Sequence, residues 1–250
     1  MEKIIVEVCC GSVDDCIVAQ ECHADRIELN HALEMGGMSV SPATLRRAKA
    51  KVSLPICCMV RPRGVGFCYS EDTFEVMKEE ARDLLEAGAD GIVFGFLHED
   101  GSIDIERTKA MVEIIHPKEA VFHKAFDATE NLEESLKILI DCKIDRVLTS
   151  GGAVYPDIKE GCIRLAKLHE KYGDIIQLLP GGGVREHNVL DILETTNIKQ
   201  IHMTAKHLKL DPSTLCFNQN SKNPSDHSFV ATEQKQLCAI LDIIRNYESK

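Results

Sequence analysis

The sequence predicts a (β/α)8 TIM barrel, in which a parallel sheet of eight strands is surrounded by helices. Three observations predict it. Strand-like and helix-like segments alternate strictly over residues 4–205, eight strand patterns fall within this stretch, and 250 residues suffice for one such barrel. An open, doubly wound parallel sheet is the structural alternative. The lack of a GxGxxG motif after the first strand weakens its dinucleotide-binding form.

The predicted strands are short apolar runs, each followed by a turn or a helix signal. In chain order they are IIVEVCC, RIELN, PICCMVRPR, GIVFGFL, AVFHKAF, DRVLTSGG, IIQLLPGGG and QIHMTA. A helical segment separates each strand from the next, and a helical crossover returns the chain in the same direction. Consecutive strands are therefore expected to be parallel.

Seven helical segments lie between these strands, with apolar residues three or four positions apart. They are SVDDCIVAQEC, SPATLRRAKAKV, SEDTFEVMKEEARDLLEAGA, DIERTKAMVEII, NLEESLKILIDC, IKEGCIRLAKLHEKY and EHNVLDILETT. Ser12 is predicted to be the N-cap of the first helix. Ser41 followed by Pro42 predicts the start of the second, since proline is tolerated in the first turn.

Residues 206–250 break the alternation. The stretch FNQNSKNPSDHS, residues 217–228, is polar and predicts a loop. The segment TEQKQLCAILDIIRNYE predicts a final helix, capped by Thr232 and able to serve as the eighth helix of the barrel. No low-complexity linker divides the chain. We therefore expect a single domain over residues 1–250, with the barrel in 1–205 and a C-terminal loop plus helix in 206–250.

Composition and charge exclude several classes of protein. The net charge is −11 and no block of lysine and arginine occurs, which argues against nucleic-acid binding. No apolar run approaches the roughly 20 residues that span a bilayer, so no membrane association is expected. The start, MEKIIVEVCC, is typical of a strand rather than of a signal peptide. We therefore expect a cytoplasmic protein whose 11 cysteines are mostly free thiols.

Several strands carry polar side chains towards their carboxyl ends. Residues two apart on a strand share a face, which predicts that Glu7, Glu28, His123 and His202 point into the barrel near Arg61. Because active sites of such barrels lie at the carboxyl ends of the strands, these residues are candidate general acids and bases. The alternative is an internal ion-pair network that fills the barrel.

The fifth strand, within VFHKAFD at residues 121–127, carries three polar groups. Alternation predicts that His123 points inward and that Lys124 points outward towards the helices. An outward lysine is a poor candidate for a Schiff-base nucleophile. Asp127 follows the strand, where it could reach the mouth of the barrel or cap a loop.

Two glycine clusters, LTSGGA and LLPGGGV, end the sixth and seventh strands. Glycine allows backbone N–H groups to approach a ligand, so these turns suggest a pocket for a small anionic substrate such as a phosphorylated one. Tight turns without a ligand are the alternative. The candidate anion-binding residues are Arg61, Arg63, Asp127, Ser150, Gly151, Gly181, Gly182 and Gly183.

The sequence as a whole resembles the CutC family, which is named for copper homeostasis. The matching segments, in order, are EVCCGSV, ADRIEL, EMGGMSVSPATL, MVRPRGVGFCYSEDTFEVM, EAGADGIVFGFLHEDGSID, FHKAFD, LTSGGA, PGGGV and IHMTA. The resemblance covers nearly the whole chain. It implies a TIM barrel, a cytoplasmic location, self-association as a homodimer or higher homo-oligomer, and a role in copper handling through cysteines that bind Cu(I).

The resemblance is uneven at the residues that would bind copper. The family's cysteine on the first strand matches Cys9, but the cysteine that ends its second strand is replaced here by Asn30. Cu(I) prefers thiolate ligands, so this replacement bears directly on copper binding. Cys9 and Cys10 are adjacent and therefore point to opposite faces. Cys68, in the third βα loop, could approach Cys9 as a second thiolate.

Three functions are compatible with these residues. The first is a copper homeostasis protein that binds Cu(I) through Cys9 and another soft ligand. The second is an enzyme, of isomerase, epimerase or aldolase type, that removes a proton from a small anionic substrate. The third is an interaction protein with a vestigial site. Glutamate and histidine could also hold a divalent ion such as Zn²⁺.

Overall fold

The computed structural model describes residues 2–153, 159–216, 223 and 226–249. Eight parallel strands form one sheet in the order β7-β6-β5-β4-β3-β2-β1-β8, which confirms the predicted (β/α)8 barrel. The amide of Gln200 joins the last strand to the seventh, since its Nε2 lies 3.1 Å from the carbonyl oxygen of Leu178. The strands are β1 Ile5–Cys10, β2 Arg26–Leu29, β3 Ile56–Met59, β4 Gly91–Phe94, β5 Glu119–Phe122, β6 Arg146–Thr149, β7 Gln177–Pro180 and β8 Gln200–Met203.

The helices follow the apolar periodicity of the sequence, and two predicted starts are confirmed. The Ser12 and Ser41 side chains accept from the N–H groups of Asp15 and Thr44, both at 3.1 Å, and Pro42 opens the second helix. None of the described helices is both long and apolar enough to cross a membrane. The helices are α1 Val13–Glu21, α2 Pro42–Lys49, α3 Glu71–Glu86, α4 Ile105–Ile115, α5 Leu132–Asp141, α6 Lys159–Tyr172, α7 Val189–Thr196 and α8 Gln234–Glu248.

The C-terminal extension contains more regular structure than predicted. Strands β9 Lys206–Leu210 and β10 Ser228–Thr232 pair as an antiparallel hairpin before α8. The prediction of Thr232 as the cap of α8 was wrong, because Thr232 ends β10 and Glu233 is the N-cap. The predicted polar loop, residues 217–228, lies mostly outside the described residues. Helix α8 is present as predicted.

The main apolar core lies between the sheet and the surrounding helices. Outward-facing strand residues such as Val8 and Ile27 belong to it together with helix residues such as Leu45 and Met77. A second, much smaller apolar cluster consists of Cys57, Met59, Val93 and Val121. Charged groups contact this small cluster, since Cys57 Sγ lies 3.5 Å from Glu119 Oε2 and 3.6 Å from Arg146 Nη2.

The fifth strand ends earlier than the sequence suggests. Strand β5 stops at Phe122, and residues Lys124–Ala128 form a short 3-10 helix. The alternation that predicted an outward Lys124 therefore does not extend to this residue, and that prediction was wrong. Lys124 Nζ instead lies 3.3 Å from Ser150 Oγ, beyond the end of β6.

One disulfide joins Cys22, the C-cap residue of α1, to Cys238 on α8, with the two Cα atoms 4.9 Å apart. It is the exception to the prediction of free thiols. Among the described residues, Cys9, Cys10, Cys16, Cys57, Cys58, Cys68 and Cys142 are free thiols. The bond fastens the C-terminal helix to the first helix of the barrel.

Candidate functional site

A buried network of charges surrounds Glu7 on β1. His202 Nδ1 lies 2.8 Å from one oxygen of the Glu7 carboxylate. The other oxygen is contacted by the Arg26 guanidinium and lies 3.4 Å from Arg146 Nη2. Arg146 is completely buried and binds both oxygens of Glu119, at 2.6 and 2.8 Å. These contacts join β1, β2, β5, β6 and β8 through one set of charges.

The two arginines determine the ionisation of Glu7. Burial alone raises the pKa of the Glu7 carboxyl, but the charges of Arg146 and Arg26 outweigh it and hold the pKa well below its usual range. Glu7 is therefore a fixed carboxylate. Among the described residues it pairs with neither Glu28 nor Arg61, and it orients His202 through the ring Nδ1. The internal ion-pair network, the alternative considered for these residues, is the arrangement that the structure gives to Glu7.

A second group, which we call the Cys9 cluster, consists of Cys9, Glu28 and His202. One ligand atom from each lies within 4.8 Å of the others. The strand register explains this. Cys9 is the partner of Glu28 across β1 and β2, and Glu7, which lies on the same face of β1 as Cys9, is the partner of His202 across β1 and β8. A thiol, a carboxyl and an imidazole are brought together from three neighbouring strands.

Asn30 lies against this cluster, at the position where the family resemblance places a cysteine. Its Nδ2 donates to Glu28 Oε1 at 2.7 Å and lies 3.3 Å from Cys9 Sγ. Cys9 Sγ is 3.7 Å from the same carboxylate oxygen. The other oxygen, Glu28 Oε2, is buried and has no hydrogen-bond partner among the described residues. One carboxylate oxygen thus remains available for a ligand.

The electrostatics of the Cys9 cluster favour bound protons. Burial, followed by the charge of Glu28, raises the pKa of the Cys9 thiol well above its usual range. Burial also raises the pKa of Glu28. Burial lowers the pKa of His202, but the charges of Glu28 and Glu7 outweigh it, so the pKa of His202 is raised. A cation placed among these three groups would take the place of the protons.

Arg61 and His123 are buried near the end of β3 and at the end of β5. The Arg61 guanidinium donates to the carbonyl oxygens of Gly37, at 2.8 Å, Met35, at 3.3 Å, and Gly64. It pairs with no carboxylate in the described part of the chain. Burial and the charge of Arg61 lower the pKa of His123 to about 3, so the His123 ring is neutral.

The first glycine turn already holds a carboxylate of the protein itself. Asp127 accepts from Ser150 N and Gly152 N, both at 2.9 Å, and from Ser150 Oγ at 3.0 Å. The backbone N–H groups that the sequence assigned to an external anion therefore bind Asp127. Lys124 lies 3.5 Å from the same carboxylate and also beside Gly182, where a Cβ would be only 2.8 Å from Nζ. Asp127, Ser150 and Gly182 are thus gathered around Lys124, whereas the Gly151 N–H donates to Thr149 Oγ1 at 2.8 Å.

Two candidate residues lie on the outside of the third βα loop. Cys68 is exposed and lines a surface pocket with Tyr69 and Phe74. The guanidinium of Arg63 contacts the carbonyl oxygens of Val65 and Cys68 and stacks on Tyr69, 4.9 Å from the ring centroid. Cys68 is not part of the Cys9 cluster.

Sequence reasoning missed several residues of the two groups. Arg26, Glu119 and Arg146 were not candidates, although each stands at the start of a strand. The available signal was a charge inside an apolar strand pattern, as in RVLT, since a buried charge requires a partner. Lys124 was excluded because the strand was assumed to continue past residue 122.

Comparison with known sequences gives a consistent result. A model of the CutC family matches residues 4–207. A CutC family protein of Treponema denticola is 40% identical over 214 residues, which is 86% of this chain and 86% of that protein. The human copper homeostasis protein cutC homolog is 38% identical over 202 residues, which is 81% of this chain and 73% of the human protein.

Comparison with solved structures agrees. A CutC protein from Streptococcus agalactiae superposes with a TM-score of 0.75 at 27% identity, covering 80% of this chain and 97% of that one. The phosphoribosylanthranilate isomerase of Thermotoga maritima superposes with a TM-score of 0.56 at 12% identity, covering 97% of this chain and 99% of the isomerase. At that identity the likeness is one of fold alone.

Proposed function

The chain belongs to the CutC family, and on that basis we propose that it is a copper homeostasis protein that binds Cu(I) through the Cys9 cluster. One observation carries the proposal. The sulfur of Cys9, a carboxylate oxygen of Glu28 and a ring nitrogen of His202 lie within 4.8 Å of one another, close enough for all three to contact one ion.

The donor atoms suit this role. A thiolate is the ligand that Cu(I) prefers, and imidazole also binds copper. Glu7 holds Nδ1 of His202, which leaves Nε2 for the ion, in the way that a carboxylate behind a histidine ligand fixes the orientation of its ring. Glu28 Oε2, buried without a partner among the described residues, supplies a negative charge. In this role copper is the cargo of the protein rather than a resident cofactor.

Replacing Cys9 with serine tests the proposal. Loss of an outer-shell partner of a metal ligand typically lowers the affinity for the metal by about 10–100-fold. We expect the affinity for Cu(I) to fall at least as much in Cys9→Ser, because Cys9 supplies the only thiolate of the cluster. The measurement is a titration with Cu(I) against a competing chelator, without oxygen and under reducing conditions.

The matched control is Cys68→Ser, which removes an exposed thiol that lies outside the Cys9 cluster. Its affinity should equal that of the wild type. A loss of affinity in Cys68→Ser equal to the loss in Cys9→Ser would instead support a Cys9–Cys68 pair. Weak binding by the wild type, or Zn²⁺ binding tighter than Cu(I) binding, would contradict the copper assignment.

Replacing Asn30 with cysteine is expected to raise the affinity for Cu(I). The side chain of Asn30 already lies beside Cys9, with Nδ2 3.3 Å from Sγ, so a cysteine there would offer a second thiolate to the same ion. The expected gain is tenfold or more, which is about 1.4 kcal/mol. The same chelator competition measures it, and Asn30→Ser, of similar size without sulfur, is the control. Equal affinities for Asn30→Cys and Asn30→Ser would show that position 30 does not reach the ion.

An isomerase, epimerase or aldolase acting on a small anion is less well supported. Glu7, a candidate base, is a poor proton acceptor, because two arginines and a histidine stabilise its carboxylate. The enzymes that share the barrel are too distant in sequence for an activity to be transferred.

A cytoplasmic location and a homodimeric or larger assembly are further proposals, which the family resemblance supports. A monomer in sedimentation velocity at micromolar concentration would contradict the second.

A further inference from the structure

Two buried N–H groups near the mouth of the barrel have no acceptor in the part of the chain that the structure describes. Nε of Arg61 and Nε2 of His123 are both buried without a hydrogen-bond partner among the described residues. The residues themselves are 7% and 4% exposed. Buried polar groups are nearly always paired, and leaving one unpaired costs its full desolvation. Two unpaired groups in neighbouring side chains therefore suggest an acceptor supplied by a ligand.

The hydrogen bonds of His123 show that its free nitrogen is a donor. Nδ1 accepts from the backbone N–H of Ala125 at 3.2 Å, so Nδ1 carries no proton and Nε2 must carry it. The lowered pKa of His123 agrees with a neutral ring. Arg61 Nε–H is also a donor, since guanidinium has no acceptor. We call these two groups the donor pair.

The members of the donor pair are neighbours around one aromatic side chain. The ring centroid of Phe67 lies 4.9 Å from that of His123 and 5.5 Å from the Arg61 Cζ. Gly95 makes room for the histidine, because a Cβ there would lie 2.5 Å from the ring. One locality therefore contains the donor pair, Phe67 and Gly95, which belong to three strand ends or the loops that follow them.

The charge of this locality is positive and uncompensated. Among the described residues, the other nitrogens of Arg61 donate only to backbone carbonyl oxygens, those of Met35, Gly37 and Gly64. Burying a guanidinium without a counter-ion is unfavourable, because neutral carbonyl groups replace its hydration but not its charge. An anion would satisfy both free donors and balance this charge. The whole chain carries a net charge of −11, so a general positive field does not account for the arrangement.

The donor pair also adjoins the Cys9 cluster. Arg61 Nη1 donates to the carbonyl oxygen of Gly37. Gly37 in turn packs against Asn30, whose Oδ1 would be 2.4 Å from a Cβ at that position. Asn30 contacts both Cys9 and Glu28. One chain of contacts thus connects the two localities.

We propose that Arg61 and His123 form a binding site for an oxygen of a small anion, a carboxylate or a phosphate, next to the Cys9 cluster. One oxygen of the anion accepts from Arg61 Nε–H and His123 Nε2–H, and its charge balances the guanidinium. The site uses neither Cys9 nor His202, so it does not depend on metal binding.

The experiment observes the two donors directly by NMR on protein labelled with ¹⁵N. Inorganic phosphate and, separately, malonate are added to the metal-free protein while the Arg61 Nε–H and His123 Nε2–H signals are followed. We expect both signals to shift together along one saturation curve. Assignment comes from Arg61→Met and His123→Phe, each of which removes one donor. Each variant should weaken anion binding by about tenfold to a hundredfold, as expected for a hydrogen bond to a charged group.

Arg47→Met is the matched control, because it removes an exposed arginine from α2 and should leave binding unchanged. A response to phosphate alone or to malonate alone would support the site and identify the class of anion. If neither phosphate nor malonate shifts the two signals in the wild type, the proposal is overturned, as it is if Arg61→Met binds the anion as tightly as the wild type. Cys9→Ser should bind the anion normally, so failure of the copper proposal and failure of this one are distinguishable.

Discussion

Replacing Arg146 with methionine is expected to lower the free energy of unfolding by about 3–5 kcal/mol. Arg146 is completely buried and binds both oxygens of Glu119, and its Nη2 lies 3.4 Å from Glu7. Its loss leaves two carboxylates inside the barrel without their shared cation. The cost arises mainly because these carboxylates lose a cation, rather than from the loss of one favourable contact. Urea denaturation at neutral pH measures it.

The control is Arg107→Met, which removes the same charge from a more exposed ion pair with Glu71 on the outside of the barrel. We expect a change of about 1 kcal/mol or less there, since solvent screens such pairs. The double variant Glu119→Gln/Arg146→Met should recover part of the lost stability, because it also removes the carboxylate that loses its cation, whereas Glu7 keeps Arg26 and His202. If the single variant Arg146→Met is no less stable than Arg107→Met, then water reaches the network and screens its charges.

Opening the Cys22–Cys238 disulfide is expected to lower the free energy of unfolding by about 2–5 kcal/mol. The bond joins residues separated by 216 positions, which places the chain-entropy estimate near the upper end of this range. It also fastens α8, the helix that closes the barrel, to α1. The measurement compares the wild type with Cys22→Ser/Cys238→Ser by denaturation without reductant.

Cys142→Ser is a matched control, because Cys142 is also a buried C-cap residue, in this case of α5, but it is a free thiol. It should lose only the small packing contribution of one sulfur atom. Adding a reductant should destabilise the wild type and leave the double variant unchanged. If the reductant has no effect on the wild type, the bond does not contribute as described. The same comparison gives the stability that the protein would have in a reducing cytoplasm, where disulfides are rare.

The fold was predictable because it depends on local and repetitive signals. Alternating apolar periods gave the eight strands and the helices between them, and Ser12 and Ser41 with Pro42 marked two helix starts that the structure confirms. Each signal needs only a few neighbouring residues. The end of β5 was missed because the 3-10 helix Lys124–Ala128, which buries Ala125 and Phe126, has an apolar content similar to that of a strand.

The candidate site was only partly predictable. The alternation of side chains along a strand predicted that Glu7, Glu28 and His202 point into the barrel. Their partners, however, depend on contacts that sequence spacing does not encode. Arg146 is 27 positions from Glu119, and His202 is 195 positions from Glu7. Long side chains cross between strands, so the pairing depends on register and reach. The copper and anion assignments remain predictions that the experiments above test.

By itself the sequence determined the number of barrel strands, their order along the chain and the membership of the CutC family, because these depend on periodicity and on residues read in order. Only the tertiary structure decided that Asp127 fills the first glycine turn, that Glu7 is held by two arginines, and that Cys9, Glu28 and His202 adjoin. The physical reason is that a buried charge or donor takes whichever partner the closed barrel brings within hydrogen-bond distance. That distance is set by the packing of strands that are far apart in the chain.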